Sequence, residues 1–430
     1  MRFFLPDSQD TVDPTWDFER EVSTLRRGDA QGRRYAHEVL ALPPYDGMLV
    51  SKAAVEGSAR YSLAQRQRLH RCGLPAYLRL DQLPEPLPVM GDCGAFAYVD
   101  AAIPPYSPRE VLDFYLSGRV RYGLSVDHII LGYDETLDDP NEAARVPETF
   151  RRRQEITLEL AREFLAETAA SDTDMVPMGV AQGWSPGSYA DAVLALQAMG
   201  YEYIAMGGMV PLKTSQILHV LDRVQAIRAT TTRLHLLGIG RAADTEAFEL
   251  RGAASCDSTT PLRQAMLDDH KNYHLGAERY AAIRIPQTDG NPALRRQIAS
   301  GAVKQAEARR LERDCLTAMR DWSSRAVGLV DVLARLSAYE ALVGGPEARS
   351  RTEMYRRTLE ARPWERCSCA ICQTIGHHVI IFRGAERNRR RGFHNTWDFY
   401  RQVNDGLRGG ATSASEGLLP TRRMRPEAPS

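Results

Sequence analysis

At 430 residues the chain is longer than one small core requires, so a single large α/β barrel with appended parts, or two domains, is the expected scale. Apolar residues at 43% and charged residues at 26% exclude global disorder. Lys plus Arg equals Asp plus Glu at 55 each, which excludes a whole-molecule field pulling the protein onto a polyanion; any affinity for nucleic acid must come from local clustering of charge.

The first ten residues carry Pro6, Asp7 and Asp10 and lack the unbroken apolar core of a signal peptide. No later apolar run approaches membrane-spanning length, so a cytoplasmic address without a membrane partner is expected. Short apolar runs follow at Gly47–Ser51 and at 76–80, 88–91, 127–131, 175–181, 202–206, 234–237 and 253–256. Several are nearly continuous, as parallel strands buried on both faces require. Helical patterns lie between them. Over 188–199, Tyr189, Ala192, Val193, Leu196 and Met199 keep one apolar stripe, and Gly200 stops it.

This alternation implies βαβ units, and eight candidate strands fit a (β/α)8 TIM barrel. The connection from 80 to 88 is too short for a crossover helix, and a doubly wound open sheet is the alternative. From 292 onward the stretches 292–320 and 323–342 are rich in Ala, Leu, Arg and Glu and read as helices, broken by Gly344, Gly345 and Pro346. The expected organisation is a barrel core over 1–290 with an N-terminal extension over 1–45 and a helical insertion over 291–345. A zinc-binding subdomain with a closing helix then takes 346–410, and a mobile tail 411–430.

Of seven cysteines, Cys72, Cys93, Cys256 and Cys315 are scattered singly, unlike a disulfide framework. Cys367, Cys369 and Cys372 sit within six residues, and His394 follows 22 residues later. Three thiolates in a tight turn and one distant imidazole suit a tetrahedral, structural Zn²⁺ with no position left for catalytic water. His377 and His378 are rival fourth ligands. His394 also opens a helical pattern, with Asn395 or Thr396 as cap and Trp397, Tyr400, Val403 and Leu407 on one face. Arg383, Arg387, Arg389, Arg390 and Arg391 face only one acid, Glu386, in the loop that the metal would close, and this cluster is expected to contact phosphates. Phe393 and Trp397 stand ready to stack on bases, although helical spacing makes Trp397 a core residue.

Six tracts occur in a telling order: Val89-Met-Gly-Asp92-Cys-Gly94-Ala-Phe96, Val180-Ala-Gln182-Gly183, Ala205-Met-Gly207-Gly208, Leu237-Gly238-Ile-Gly240, Cys256-Asp257-Ser-Thr-Thr-Pro261-Leu-Arg263, and the cysteine triplet with its later His. Over roughly 48–407 the chain resembles the tRNA-guanine transglycosylase family. More narrowly, the opening Phe3-Phe-Leu-Pro6-Asp7-Ser and the segment Asn388-Arg-Arg-Arg-Gly-Phe-His394-Asn-Thr look like its DNA-modifying branch, the DpdA-type DNA 7-deazaguanine transglycosylases. Those enzymes exchange guanine in DNA for 7-cyano-7-deazaguanine.

Breaking an N-glycosidic bond builds positive charge on the sugar, so a carboxylate is needed at the anomeric carbon and a proton donor at the departing base. The resemblance implies Asp257 as a nucleophile forming a covalent glycosyl-enzyme and Asp92 as the proton-handling group, both at predicted strand ends. A guanine edge calls for an acidic acceptor and a donor to O6. Asp134 is the expected acceptor, with Asp127 as alternative. The Gln182 amide and Gly208 N–H are expected at O6, with Gly207, Leu237 and Gly238 completing the base pocket and Arg263 joining the nucleic-acid contacts.

Where tRNA enzymes read Asp-Ser-Gly-Gly-Phe-Gln, this chain has Asp92-Cys93-Gly94-Ala95-Phe96-Ala97, and Ser258-Thr-Thr-Pro-Leu replaces the usual Cys-Val-Leu-Pro-Thr. These departures bear on tRNA specificity more than on the chemistry. The expected partners are DNA, or tRNA in the alternative, together with a 7-deazaguanine base, accessory DNA-modification proteins and a second copy in a homodimer. A reading of another class is a non-catalytic nucleic-acid-binding subunit on an inherited barrel, which the presence of both aspartates argues against.

Overall fold

Eight parallel strands close into a barrel in sequence order: β1 (Arg2–Pro6), β2 (Gly47–Ser51), β3 (Val89–Asp92), β4 (Tyr122–Leu124), β5 (Val176–Ala181), β6 (Tyr203–Met206), β7 (Arg233–Leu236) and β8 (Ala253–Asp257). The computed structural model describes residues 1–26, 28–58, 60–344 and 350–409, with side chains as far as 404. The expected tail over 411–430, the breakers Gly345 and Pro346 and the side chain of Leu407 lie outside the described residues.

Closure runs through β1, where Phe4 pairs with Gly47 on β2 and with Asp257 on β8. Alternate residues point inward, and Phe4, Leu49, Met90, Leu124, Met178, Val180, Tyr203 and Ala205 pack as a core of their own inside the ring. The larger core lies between the strands and the surrounding helices. Pro186–Met199 is one such helix: Ser185 caps its start and Gly200, at φ +109°, its end, as the periodicity and the glycine predict.

Three expectations about strands change. The segment 1–45, expected to precede the barrel, supplies β1, whose Phe3 and Phe4 are fully buried. The run 76–80 is not a strand: Gly73, at φ +80°, ends one helix, and Pro75 helps start the short helix Leu74–Tyr77. The fourth strand precedes the run 127–131, which follows β4 as an irregular segment buried as far as Ile130, with Ile129 at the cavity at the strand ends. Each of these runs is short and apolar, a signal that strand, helix and buried loop share.

Beyond β8 the helices Pro292–Ala299, Gln305–Ser323 and Leu329–Gly344 follow, the latter two packed on each other. The described residues end in the long helix Gly384–Gly409, which lies against the helix Thr260–Leu267 that follows β8. It starts ten residues before His394, so Arg387 to Arg391 belong to a helix and not to a loop, and Arg383 just precedes it. No helix among the described residues is long and apolar enough to cross a membrane.

Candidate active site and metal centre

The last residues of β1, β2, β3 and β8, namely Pro6, Ser51, Asp92 and Asp257, all border one cavity of about 710 Å³. It therefore opens at the carboxyl ends of the strands, the face on which barrel enzymes carry their chemistry. Gln182, Gly207, Gly208, Leu237, Gly238 and Arg263 line it as well, so most of the site residues expected from the sequence meet here.

Asp257 is buried, and its Oδ1 is held from two sides: the Gly238 N–H donates at 2.8 Å, and His235 Nε2 lies at 3.2 Å. Gly238 reaches it from the turn after β7 in a left-handed conformation, φ +73°. His235 was not foreseen, because one inward-facing His on a strand carries no signal until its neighbours are known.

Across the cavity Asp92 borders a second acid. Burial, reinforced by the negative charge of Asp127 and more weakly by that of Asp257, pushes its carboxyl up to about 7 against the opposing Gly94 and Cys93 N–H groups. Asp127 is buried beside it. Its Oδ2 accepts from Gln182 Nε2 at 2.6 Å and its Oδ1 from the Cys93 thiol at 3.1 Å, and burial raises its pKa despite both bonds. The Tyr98 hydroxyl completes this cluster, 3.0 Å from Cys93 Sγ and 3.1 Å from the Asp127 carbonyl. Cys93 thus links the two groups, its thiol donating to Asp127 and accepting from the Tyr98 hydroxyl.

Gln182 is fixed at both ends, since its Oε1 accepts from the Ile130 N–H at 3.1 Å. The two glycines are explained by this amide. A Cβ on Gly207 would collide with Gln182 Nε2, and one on Gly208, at φ +73°, would stand 2.8 Å from Gln182 Oε1.

Asp134 is not brought to the cavity. Its Oδ1 accepts from the Thr136 N–H at 2.9 Å and from the Thr136 hydroxyl at 2.7 Å, so it caps the 3₁₀ turn Glu135–Asp138. Because the strand ends at Leu124, the buried acid is Asp127, the alternative. Two further groups escaped sequence reasoning. Asp7, just past β1, is buried in the cavity wall, where the Tyr61 hydroxyl donates to it and burial raises its pKa. Arg60 is exposed at the rim, as is Arg263.

The metal quartet assembles as expected. Cys367, Cys369, Cys372 and His394 are all buried, and their ligand atoms lie within 4.8 Å of one another. His394 Nδ1 stands 3.5, 3.4 and 3.5 Å from the three sulfurs in turn. Its Nε2 lies 2.6 Å from the His274 carbonyl, so the ring donates there and turns the Nδ1 lone pair to the sulfurs. Backbone N–H groups of Cys369 and Cys372 donate to the sulfurs of Cys367 and Cys369 at 3.4 Å, and the Tyr273 ring stacks on His394 at 4.2 Å. These four residues could hold a metal ion. The rivals His377 and His378 group instead with Glu19.

The arginine run does not form a phosphate-binding face. Arg383 pairs with Glu21 and Glu312, Arg387 with Glu21, and Arg390 with Glu386, and all three are buried. Arg391 is fully buried, bonded to the carbonyls of Val379, Ile381 and Ala265. Arg389 is partly exposed and lies 3.6 Å from Asp10. Helical spacing explains this: 387, 390 and 391 fall on one side of the helix, against the N-terminal segment and the helix Thr260–Leu267, and Arg383 just precedes it. Phe393 is core as well, and Trp397 is partly buried against the core.

A closed parallel β/α barrel with two carboxylates facing one cavity at the strand ends, braced by a Cys3His cluster, defines an enzyme of the barrel class. Along its sequence the chain is similar to a DNA-guanine transglycosylase of Salmonella montevideo, with 47% identity over 411 residues that cover 94% of this chain and 96% of the relative. No protein-family model matches it. The chain belongs to the DNA-guanine transglycosylase family and is a pentosyltransferase.

Proposed function

We propose that the enzyme replaces guanine in DNA with a 7-deazaguanine, 7-cyano-7-deazaguanine being the incoming base of the DpdA-type branch, through a covalent aspartyl-glycosyl intermediate. The observation that carries this reading is the pair of unlike carboxyls at the strand ends: Asp257 held by Gly238 N–H, and Asp92 pushed up to about 7. Two carboxyls in different environments divide nucleophilic and acid-base work.

Asp257 attacks C1′ of the deoxyribose. The C1′–O bond forms as the C1′–N9 bond breaks, and guanine leaves with the bonding electrons and a proton from Asp92. The incoming base returns a proton from N9 to the ionised Asp92, N9 attacks C1′, and Asp257 departs as a carboxylate. Two inversions retain the configuration. A group whose pKa sits near neutrality can give a proton in the first half and take one in the second.

Base recognition falls to Asp127 in place of Asp134. The second Gln182 amide hydrogen and the Gly208 N–H are the donors for O6, with Gly207, Leu237 and Gly238 forming the wall. Phosphate contact moves from the buried arginines to Arg263 and Arg60 at the rim, where guanidiniums are free to reach a backbone. A duplex guanine must be extruded to enter, at a cost of a few kcal/mol.

The quartet Cys367, Cys369, Cys372 and His394 suits structural zinc. An ideal site with Zn–S near 2.3 Å and Zn–N near 2.1 Å separates sulfur and nitrogen by about 3.6 Å, close to the 3.4 to 3.5 Å spacings here. Zinc would brace the closing helix, with all four positions taken by protein.

The test supplies DNA or tRNA carrying labelled guanine together with 7-cyano-7-deazaguanine, with and without an extract containing accessory DNA-modification proteins. Release from DNA, with the deazaguanine recovered in its nucleosides by mass spectrometry, is expected, and Asp257→Ala should abolish it. Release from tRNA alone selects the tRNA reaction, and release from neither refutes the proposal.

A further inference from the structure

A chain of buried polar side chains runs through the interior of the barrel and ends on Asp257. Tyr203 on β6, His235 on β7 and Ser255 on β8 all point inward and are fully buried. The strand register sets Ala205 beside His235 and His235 beside Ser255. The Tyr203 hydroxyl is 2.5 Å from Ser255 Oγ, Ser255 Oγ is 2.6 Å from His235 Nδ1, and His235 Nε2 is 3.2 Å from Asp257 Oδ1. Phe4, Met178 and Val180 pack beside them and the Phe4 ring lies edge-on to the imidazole at 6.2 Å, while Arg2, the β1 partner of Ser255, bonds the Tyr122 hydroxyl at 2.9 Å.

Only one set of proton positions satisfies every member with a neutral imidazole. Tyr203 donates to Ser255, Ser255 donates to Nδ1, and Nε2–H is left to donate to the carboxylate. We propose that His235 is a positioning residue for the nucleophile, and that Ser255 and Tyr203 act through it by selecting the Nε2–H tautomer. The proposal rests on the assignment of Asp257 as nucleophile. Oδ1 then carries two donors, from Gly238 and His235, and no described residue donates to Oδ2. The carboxylate is held in one rotation with its less engaged oxygen free to attack C1′. When the ester is resolved, the same two donors receive the returning charge. A ring without hydrogen-bonding nitrogens would fill the space equally well, so packing alone does not account for three buried polar side chains in a row.

The test measures kcat and KM for guanine release from DNA by the full-length protein in the extract assay. His235→Phe keeps a ring and removes the donor, and His235→Gln restores an amide N–H. The expected result is a fall in kcat on the order of 100-fold for the Phe variant, with KM for DNA within about threefold of wild type. The Gln variant should regain at least about tenfold, and Ser255→Ala should lose about tenfold at unchanged KM. A Phe variant that keeps wild-type kcat, or a Gln variant no better than Phe, overturns the proposal. If the Phe variant does not fold, Ser255→Ala decides: unchanged kcat in that variant overturns it. Wild-type protein that releases no guanine from either nucleic acid refutes the functional reading itself, whereas wild-type release alongside indifferent variants sinks the positioning role alone.

Discussion

Arg391→Met removes a guanidinium that the sequence offers as a DNA contact and that the fold buries completely. Its Nη1 reaches the carbonyls of Val379 and Ile381, both at 3.2 Å, and its Nη2 reaches the Ala265 carbonyl at 2.5 Å and Asn388 Oδ1 at 2.7 Å. Burial alone depresses its pKa, to about 9, so the charge is carried by dipoles and not by an acid. Methionine fills most of the volume but leaves three backbone carbonyls without this donor, at about 1–3 kcal/mol each. Its apolar burial returns about 2 kcal/mol, for a net loss of about 1–7 kcal/mol. Urea unfolding should therefore show a lower midpoint at an unchanged slope. DNA affinity measured across salt concentrations should keep its log–log slope. An unchanged midpoint together with a slope shallower by about 0.9, the signature of one lost phosphate contact, would refute this reasoning.

Asp92 titrates near 7 in the folded protein and near 3.8 in the unfolded chain, so the folded state binds the extra proton between those values. Stability from this group is present at low pH and lost as pH rises toward 7, by at most about 4 kcal/mol for a shift of this size. Asp92→Asn should accordingly raise the melting temperature more at pH 8 than at pH 4 while abolishing base exchange. Gly207→Ala pushes on the amide of Gln182 and through it on Asp127; kcat/KM should fall by on the order of tenfold or more, with a stability loss of about 1–3 kcal/mol. Metal analysis should find one zinc per chain. Chelation, or Cys369→Ser, should loosen the closing helix, read as faster hydrogen exchange over 384–404, before it alters the carboxylate pair.

Asp92 and Asp257 were readable because each sits in a distinctive short tract, and both tracts end a strand on the same rim. The cysteine triplet was readable for a similar reason, since three ligands lie within one turn and only the distant His394 needs tertiary structure to arrive. Asp134 and Asp127 were not separable by pattern. Both follow the same apolar run within seven residues of each other, and the choice depends on β4 stopping at Leu124, where its pairing with β5 at Tyr122, Gly123 and Leu124 ends. The barrel's first strand was likewise only a short apolar run until β2 and β8 took up its two edges.

The arginine run shows the limit most clearly. Its charge is written in the chain, but whether a guanidinium faces water or protein depends on the side of the helix Gly384–Gly409 it occupies, and on Glu21 and Glu312 arriving from distant segments. By itself the sequence determined the chemistry available: a carboxylate pair, a thiolate-imidazole cluster and an alternating α/β chain. Tertiary structure alone decided which charges are spent inside the protein and which groups converge on Asp257, because burial and strand register are properties of residues far apart in the chain.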